Sequence, residues 1–267
     1  DDTGDGPSSF ATAQARQPQR PGVPPARPGY PPAGYPRQPN QPPAQPGQPP
    51  RFGQPPQQQL PWWQQPLLPP QPGDPPLQES QSGNYLAPSN RLSPGLRNYL
   101  GGLDWRNPTD NVARGQDNQG GGGFNGTRQN NGTRYPHGAQ DQMAQPDQYV
   151  TAPVTGRLRG FGNLPGSNWP YIDIELDHGI VVRVIHVEMP RDAAGRIYLR
   201  RGDTIRSGQI IGTQQIFANN RRLRPVPVHA HVQIMVPIPG AVNPRTNGPV
   251  YYLVDPSPYI RDPDYVN

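Results

Sequence analysis

Of the first eighty residues, 24 are proline and 15 are glutamine, so 39 positions there are one or the other. Proline has no backbone N–H, fixes its own φ and pushes the preceding residue out of the helical region. The repeated P-G-Y, P-P and Q-P steps therefore deny this stretch both helix and sheet ladder. It reads as polyproline II and irregular coil, which at ~3.1 Å per residue reaches on the order of 250 Å. Any packed core of the 267-residue chain must lie toward the C-terminus. The expected organisation is an extended Pro/Gln-rich tail at 1–80, a linker with short docking segments at 81–123, and one domain at 124–267. Tyr30, Tyr35, Trp62–Trp63 and Leu67–Leu68 are the apolar anchors with which such a tail would dock on partners.

The rest of the composition narrows the function classes. With 31% hydrophobic residues and a mean hydropathy of −0.86, a uniformly globular chain is excluded. The absence of cysteine rules out disulfides and thiolate metal sites. The basic residues are 24 arginines and no lysine, for a net charge of +5. They are spread evenly: 11 Arg and 8 acids in 1–136, and 13 Arg and 11 acids in 137–267. Nucleic-acid binding wants clustered cations among aromatics, and the nearest cluster, Arg221, Arg222 and Arg224, reads as an exposed loop. No nucleic-acid partner is expected. No apolar run reaches the roughly 18–20 residues of a membrane span, and no charged-then-apolar leader opens the chain. A start at Asp1 without Met suits a processed product.

From about residue 135, Val, Ile and Tyr occur in short runs broken by Gly, Asn-Gly, Gly-Asp and Pro, the pattern of many short strands. Strands are expected at 150–158, 171–177, 180–188, 196–199, 209–216, 226–236 and 250–254. The fold class is all-β, an antiparallel sheet or sandwich. One or two brief helical turns are expected in 81–118, as a docking segment or as a brace for the domain.

All five histidines fall in this region: His137, His178, His186, His229 and His231. In V-P-V-H-A-H-V-Q-I-M-V (226–236), strand alternation puts Val228, Ala230, Val232, Ile234 and Val236 on one face and His229, His231 and Gln233 on the other. His137 and Asp141 are spaced i, i+4 in H-G-A-Q-D, on one side of a strand or helical turn. Two histidines and a carboxylate with one open position form a common catalytic zinc set. His186 ends the apolar run V-V-R-V-I-H, where an imidazole can accept a proton or stabilise an oxyanion beside a metal. His178, in D-H-G, reads as a turn residue. The N-G-T-R sequences at 125–128 and 131–134 also read as turns.

Taken in order, H-G-A-Q-D (137–141), A-P-V-T-G-R-L (152–158), V-I-H (184–186), G-D-T-I-R-S-G-Q-I-I-G (202–212) and H-A-H (229–231) resemble the lysostaphin/LytM-type zinc metalloendopeptidases, which cut peptide bonds of peptidoglycan. The match covers roughly 124–256. It implies His137, Asp141 and His231 as zinc ligands, and His229 and His186 as the pair that handles the proton and the oxyanion. The sequence departs from that pattern in placing Gly138 directly after the first histidine, Gln140 before the aspartate and Val184 where a tyrosine is usual. Biotinyl and lipoyl carrier domains share the G-D…G-Q hairpin but need a modifiable lysine, which this chain lacks.

The resemblance and the tail together imply a zinc-dependent peptidoglycan endopeptidase of a phage virion. It would be anchored to tail proteins through residues 1–120. The alternatives are a structural or adaptor virion protein with a non-catalytic peptidase-like domain, or a secreted bacterial wall hydrolase, extracellular or periplasmic.

Overall fold

The computed structural model describes residues 60–117, 120–130, 132–191, 193–216, 227–244 and 246–260. The tail up to residue 59, with Tyr30 and Tyr35, and the arginines at 221, 222 and 224 lie outside the described residues.

The described elements run β1 (Tyr85–Leu86), α1 (Pro94–Gly101), β2 (Gln116–Asp117), β3 (Gly120–Gly121), β4 (Thr127–Asn130), β5 (Thr133–Pro136), β6 (Gln140–Met143), β7 (Tyr149–Thr151) and β8 (Gly156–Asn163). They continue with β9 (Pro170–Glu175), β10 (Val181–Ile185), β11 (Val187–Glu188), β12 (Thr204–Ile205), β13 (Ile210–Gln214), β14 (His229–Val242) and β15 (Pro249–Val254). The fold is all-β and predominantly antiparallel, as expected. An eight-stranded sheet has the order β1-β15-β14-β10-β9-β8-β12, with β6 also on β14; a three-stranded sheet has the order β11-β13-β7.

Strand β14 organises the large sheet. One edge pairs with β10, from Ile185 opposite His231 to Val181 opposite Met235. The other edge pairs first with β6, His231 opposite Asp141, and then with β15. Alternation along β14 sends Ala230, Val232, Ile234 and Val236 into the main core, where they meet Leu158, Ile172, Ile174, Val182 and Val184 of the same sheet and Val150, Val187 and Ile211 from the smaller one. The opposite face carries His231 and Gln233, then a smaller apolar cluster of Leu86, Phe124, Val181, Met235 and Leu253.

Several expected strands differ in their limits. The expected 150–158 strand divides into β7 and β8 around Pro153, which has no N–H for a ladder. The expected 180–188 strand breaks at His186, whose φ is 70°. In the 196–199 run, Ile197 forms an isolated bridge with Arg191 rather than a strand. Strand β6, Q-D-Q-M, is absent from the expected set because it has no apolar alternation.

Residues 60–114 brace the domain. Ser93 caps α1 by accepting from Leu96 N at 3.2 Å, with Pro94 in its first turn, and the i, i+4 pair Leu96 and Leu100 is fully buried. Leu67, Ala87, Leu92, Leu96 and Leu100 belong to the main core itself. Trp62 and Leu67, expected as anchors for partners, pack on this chain instead: Leu67 bridges to Leu92, and the Trp62 ring lies 5.2 Å from Tyr99. His178 does sit in a tight turn, at φ 60°, and its ring stacks on Trp63 at 4.5 Å. Trp62 and Leu67 remove apolar surface from water by packing on the domain, whereas Trp63 and Leu68 stay 41% and 39% exposed.

If this brace is part of the core, Leu96→Ala and Leu100→Ala will each lower the urea-unfolding free energy by about 2–5 kcal/mol, the range for deleting a buried leucine side chain. A linker position would show no change.

Candidate metal centre

The site is built where β6, β14 and the turn after β5 meet. Opposition of His231 to Asp141 in the β14–β6 register puts their side chains on one face. His137 reaches the same point because Gly138, at φ +68°, turns the chain between β5 and β6; a Cβ there would meet Leu253 Cδ1 at 2.6 Å. His137 Nδ1 lies 3.1 Å from the Gly123 carbonyl. A carbonyl only accepts, so Nδ1 carries the proton and Nε2 presents a lone pair inward.

Three atoms then converge. His137 Nε2 is 3.0 Å from His231 Nδ1, His231 Nδ1 is 2.9 Å from Asp141 Oδ1, and His137 Nε2 is 3.2 Å from the same oxygen. This is the group of described His and acidic residues that could hold a metal ion. The edges suit such a role: ligands at about 2.0–2.1 Å in a tetrahedron lie roughly 3.3–3.4 Å apart. Two imidazoles and one carboxylate, with no thiolate, fit zinc in an open, catalytic type of site.

Asp141 is wholly buried. Burial alone would raise its pKa, but its close contacts with His137 and His231 and the neighbouring histidines hold it well below the ordinary carboxylate range. Its other oxygen, Oδ2, accepts from Arg114 Nη1 at 2.9 Å and from Arg128 Nη2 at 2.6 Å. Arg114 is doubly tied, since its backbone N–H also donates to the Asp141 carbonyl at 2.8 Å. Arg128 Nη2 also lies 3.0 Å from His137 Nε2. A guanidinium only donates, so this contact uses the lone pair that a metal would take.

The other two candidate residues stand beside the triad. His229 donates from Nδ1 to the Pro227 carbonyl at 2.6 Å and places Nε2 3.4 Å from Asp141 Oδ2. The His186 ring lies 5.2 Å from His229 and 6.3 Å from His231, and its outer side meets Trp169 at 5.2 Å. Trp169 is half exposed. Burial lowers the pKa of His186 well below its ordinary value, reinforced by the His229 and His231 charges. It also lowers His229, and brings His231 down to about 4 against the pull of Asp141. All three are neutral near pH 7, the form that ligates a metal or accepts a proton.

The structure thus brings His137, Asp141, His186, His229 and His231 into one cluster and leaves His178 among the aromatics of the brace. Sequence reasoning passed over Arg114, Arg128 and Trp169. Arg114 lay in the expected linker. Arg128 lay in an N-G-T-R repeat read as a turn, whereas the two repeats lead into the paired strands β4 and β5, with Arg128 opposite Tyr135.

Two outcomes follow. Arg128→Ala will tighten zinc binding by about tenfold, or about 1.4 kcal/mol, in competition with a chromophoric chelator, because the guanidinium no longer occupies His137 Nε2. In metal-free protein, stability will fall as pH drops from about 6.5 toward 4. The unfolded histidines take up protons near their ordinary value and the folded ones only lower, His231 at about 4, so the unfolded state binds more protons in that window. Urea midpoints at pH 7 and pH 5 will show it.

No family model matches the chain, and no curated protein matches it. Among solved structures, it is similar to a zinc-containing peptidase from Vibrio cholerae, at 21% identity over 64% of this chain and 44% of that one, with a TM-score of 0.38. It is also similar to lysostaphin from Staphylococcus simulans, at 19% identity over 55% of this chain and 50% of that one, TM-score 0.36. A further similar structure is a peptidase of the M23 group from Pseudomonas aeruginosa, at 14% identity, 60% and 51% coverage and TM-score 0.37. The chain spans about half the length of these structures.

Proposed function

We propose that this protein is a zinc-dependent endopeptidase acting on peptide bonds of peptidoglycan. The observation that carries the reading is the triangle of His137 Nε2, Asp141 Oδ1 and His231 Nδ1, with edges of 2.9–3.2 Å and two further neutral imidazoles beside it. Those three residues would hold the metal, which when bound supplies Lewis-acid polarisation of a peptide carbonyl and acidifies water.

The remaining chemistry belongs to the chain. His229, with Nδ1–H spent on Pro227 O, keeps Nε2 as the acceptor for the proton of the attacking water and passes it to the leaving amine. His186 donates to the oxygen on which negative charge develops. Arg114, behind Asp141, keeps the carboxylate ionised and aimed. The exposed face of Trp169 borders the site and offers the substrate a flat apolar wall.

We further propose that residues 1–59, rich in Pro and Gln, serve as a strap that carries the domain to its substrate. The setting we favour is a phage virion tail; a secreted wall hydrolase is the alternative. Strapping to tail proteins fits the length and composition of that segment.

A second reading is a binding domain that keeps this architecture without hydrolysing anything. The contacts of Arg128 with both His137 and Asp141 favour it, since a guanidinium can satisfy these acceptors in place of a metal.

The test is zinc content and release of new amino termini from purified sacculi, on the full chain and on His231→Ala. The full chain is required because Leu67, Ala87, Leu92, Leu96 and Leu100 belong to the core. The expected result is about one zinc per chain and peptide release, with both lost in the variant while its fold is kept. Folded protein with neither zinc nor cleavage would support the binding domain. His186→Ala and His229→Ala should keep zinc and lose about 10²–10⁴-fold in rate, as for removal of a positioned acid or base.

A further inference from the structure

Strand β10 ends because His186 leaves the sheet conformation, with φ at 70°. A histidine rarely takes this left-handed backbone, and such a residue persists where its surroundings over-determine it. Here they do. The His186 N–H donates to the Pro170 carbonyl at 2.7 Å, and its own carbonyl accepts from Gln215 N at 2.8 Å. The His186 carbonyl also accepts from the side-chain amide of Gln214, Nε2, at 3.0 Å.

The same Nε2 donates to the His229 carbonyl at 2.8 Å. One buried amide therefore spans two segments that lie 28 and 15 residues away from it in sequence. Gln214 is the last residue of β13 and is 1% exposed. Its Oε1 has no hydrogen-bond partner among the described residues. A buried amide with an unpaired oxygen costs stability that an apolar side chain of the same length avoids. What the glutamine supplies and a methionine cannot is a pair of N–H donors, whose shorter contacts go to the carbonyls of His186 and His229, with the Gln215 carbonyl farther off at 3.5 Å. Their rings stand 5.2 Å apart.

We propose that Gln214 is a positioning residue: by tying the main-chain carbonyls of His186 and His229 together, its side-chain amide sets the spacing of the two imidazoles beside the candidate metal ligands. The catalytic consequence rests on the peptidase reading; the positioning itself does not. Both imidazoles must address one substrate carbonyl and its attacking water, and a displacement of about 1 Å in such a pair costs on the order of 10²-fold in rate. The hydrogen bonds of the Gln214 side chain go to the His186, Gln215 and His229 carbonyls and not to His137, Asp141 or His231, so its loss is expected to spare the metal ligands.

The experiment uses full-length, zinc-loaded protein, isotope-labelled, as wild type and as Gln214→Met. In the wild type, the Gln214 side-chain amide protons will be protected from solvent exchange and will show scalar couplings across hydrogen bonds to the His186 and His229 carbonyls. In Gln214→Met, the imidazole resonances of His186 and His229 will shift while those of His137 and His231 stay in place. The rate of peptide release will fall about 100-fold in kcat, with KM and zinc affinity unchanged. A freely exchanging amide, or unchanged imidazole resonances in a folded Gln214→Met, would overturn the proposal. If Gln214→Met does not fold, the wild-type couplings decide. If the wild type releases no peptide, the peptidase reading falls, and the imidazole shifts still decide the positioning role.

Discussion

A carboxylate with no exposure to water has to be surrounded by donors or cations, and Asp141 imposes that condition on everything near it. Three side chains answer as donors, Arg114 and Arg128 on Oδ2 and His231 on Oδ1, and the Nε2 atoms of His137 and His229 stand 3.2 and 3.4 Å from the carboxylate. Without these partners the buried charge would be uncompensated, a loss of about 3–5 kcal/mol in comparable sites. The cluster is therefore a structural necessity and a chemical one. The groups that keep Asp141 ionised are also those that set out the ligand atoms.

The fold meets this condition by running β14 through the middle of the sheet. Pairing along both edges fixes its register, and with side chains alternating, a slip by one residue would turn His231 into the core and Val232 into the site. Across β14, β6 brings Asp141 to His231, and the turn at Gly138 returns His137 to the same point. Arg114 arrives from outside the sheet, on a segment whose backbone pairs with β6 through Arg114 N to Asp141 O and Met143 N to Val112 O. The residues preceding β2 thus brace the domain twice, through Leu96 and Leu100 in the core and through Arg114 at the site.

Much of this was legible beforehand. Period-two alternation in 226–236 announced a strand with His229 and His231 on one face, and the structure places β14 there. The Pro/Gln tract announced that the core lies toward the C-terminus, though Leu67 from within the tract joins it. What misled the reading was composition without periodicity. Q-D-Q-M in β6 carries no strand signal because its side chains bond polar groups elsewhere rather than packing on an oily core; Gln140, for instance, donates to a backbone carbonyl and accepts from Ser257. The stretch 60–105, read as the end of the tail and the start of a linker with docking segments, shows only isolated apolar pairs such as Trp62–Trp63 and Leu67–Leu68 among Pro, Gly and Asn. Their burial depends on a surface that is formed by residues far along the chain.

The sequence by itself determined the class of fold and the set of residues with metal-binding chemistry, because these follow from local periodicity and from the donor atoms that each residue type carries. Only the tertiary structure decided which of those atoms meet. The distances from His137 Nε2 to Asp141 Oδ1 and His231 Nδ1, the pairing of Arg114 and Arg128 with one carboxylate oxygen, and the reach of Gln214 to two histidine carbonyls all cross between elements. Such contacts are set by strand register and by the demand that buried polar groups be paired, and neither is written in any one segment of the chain.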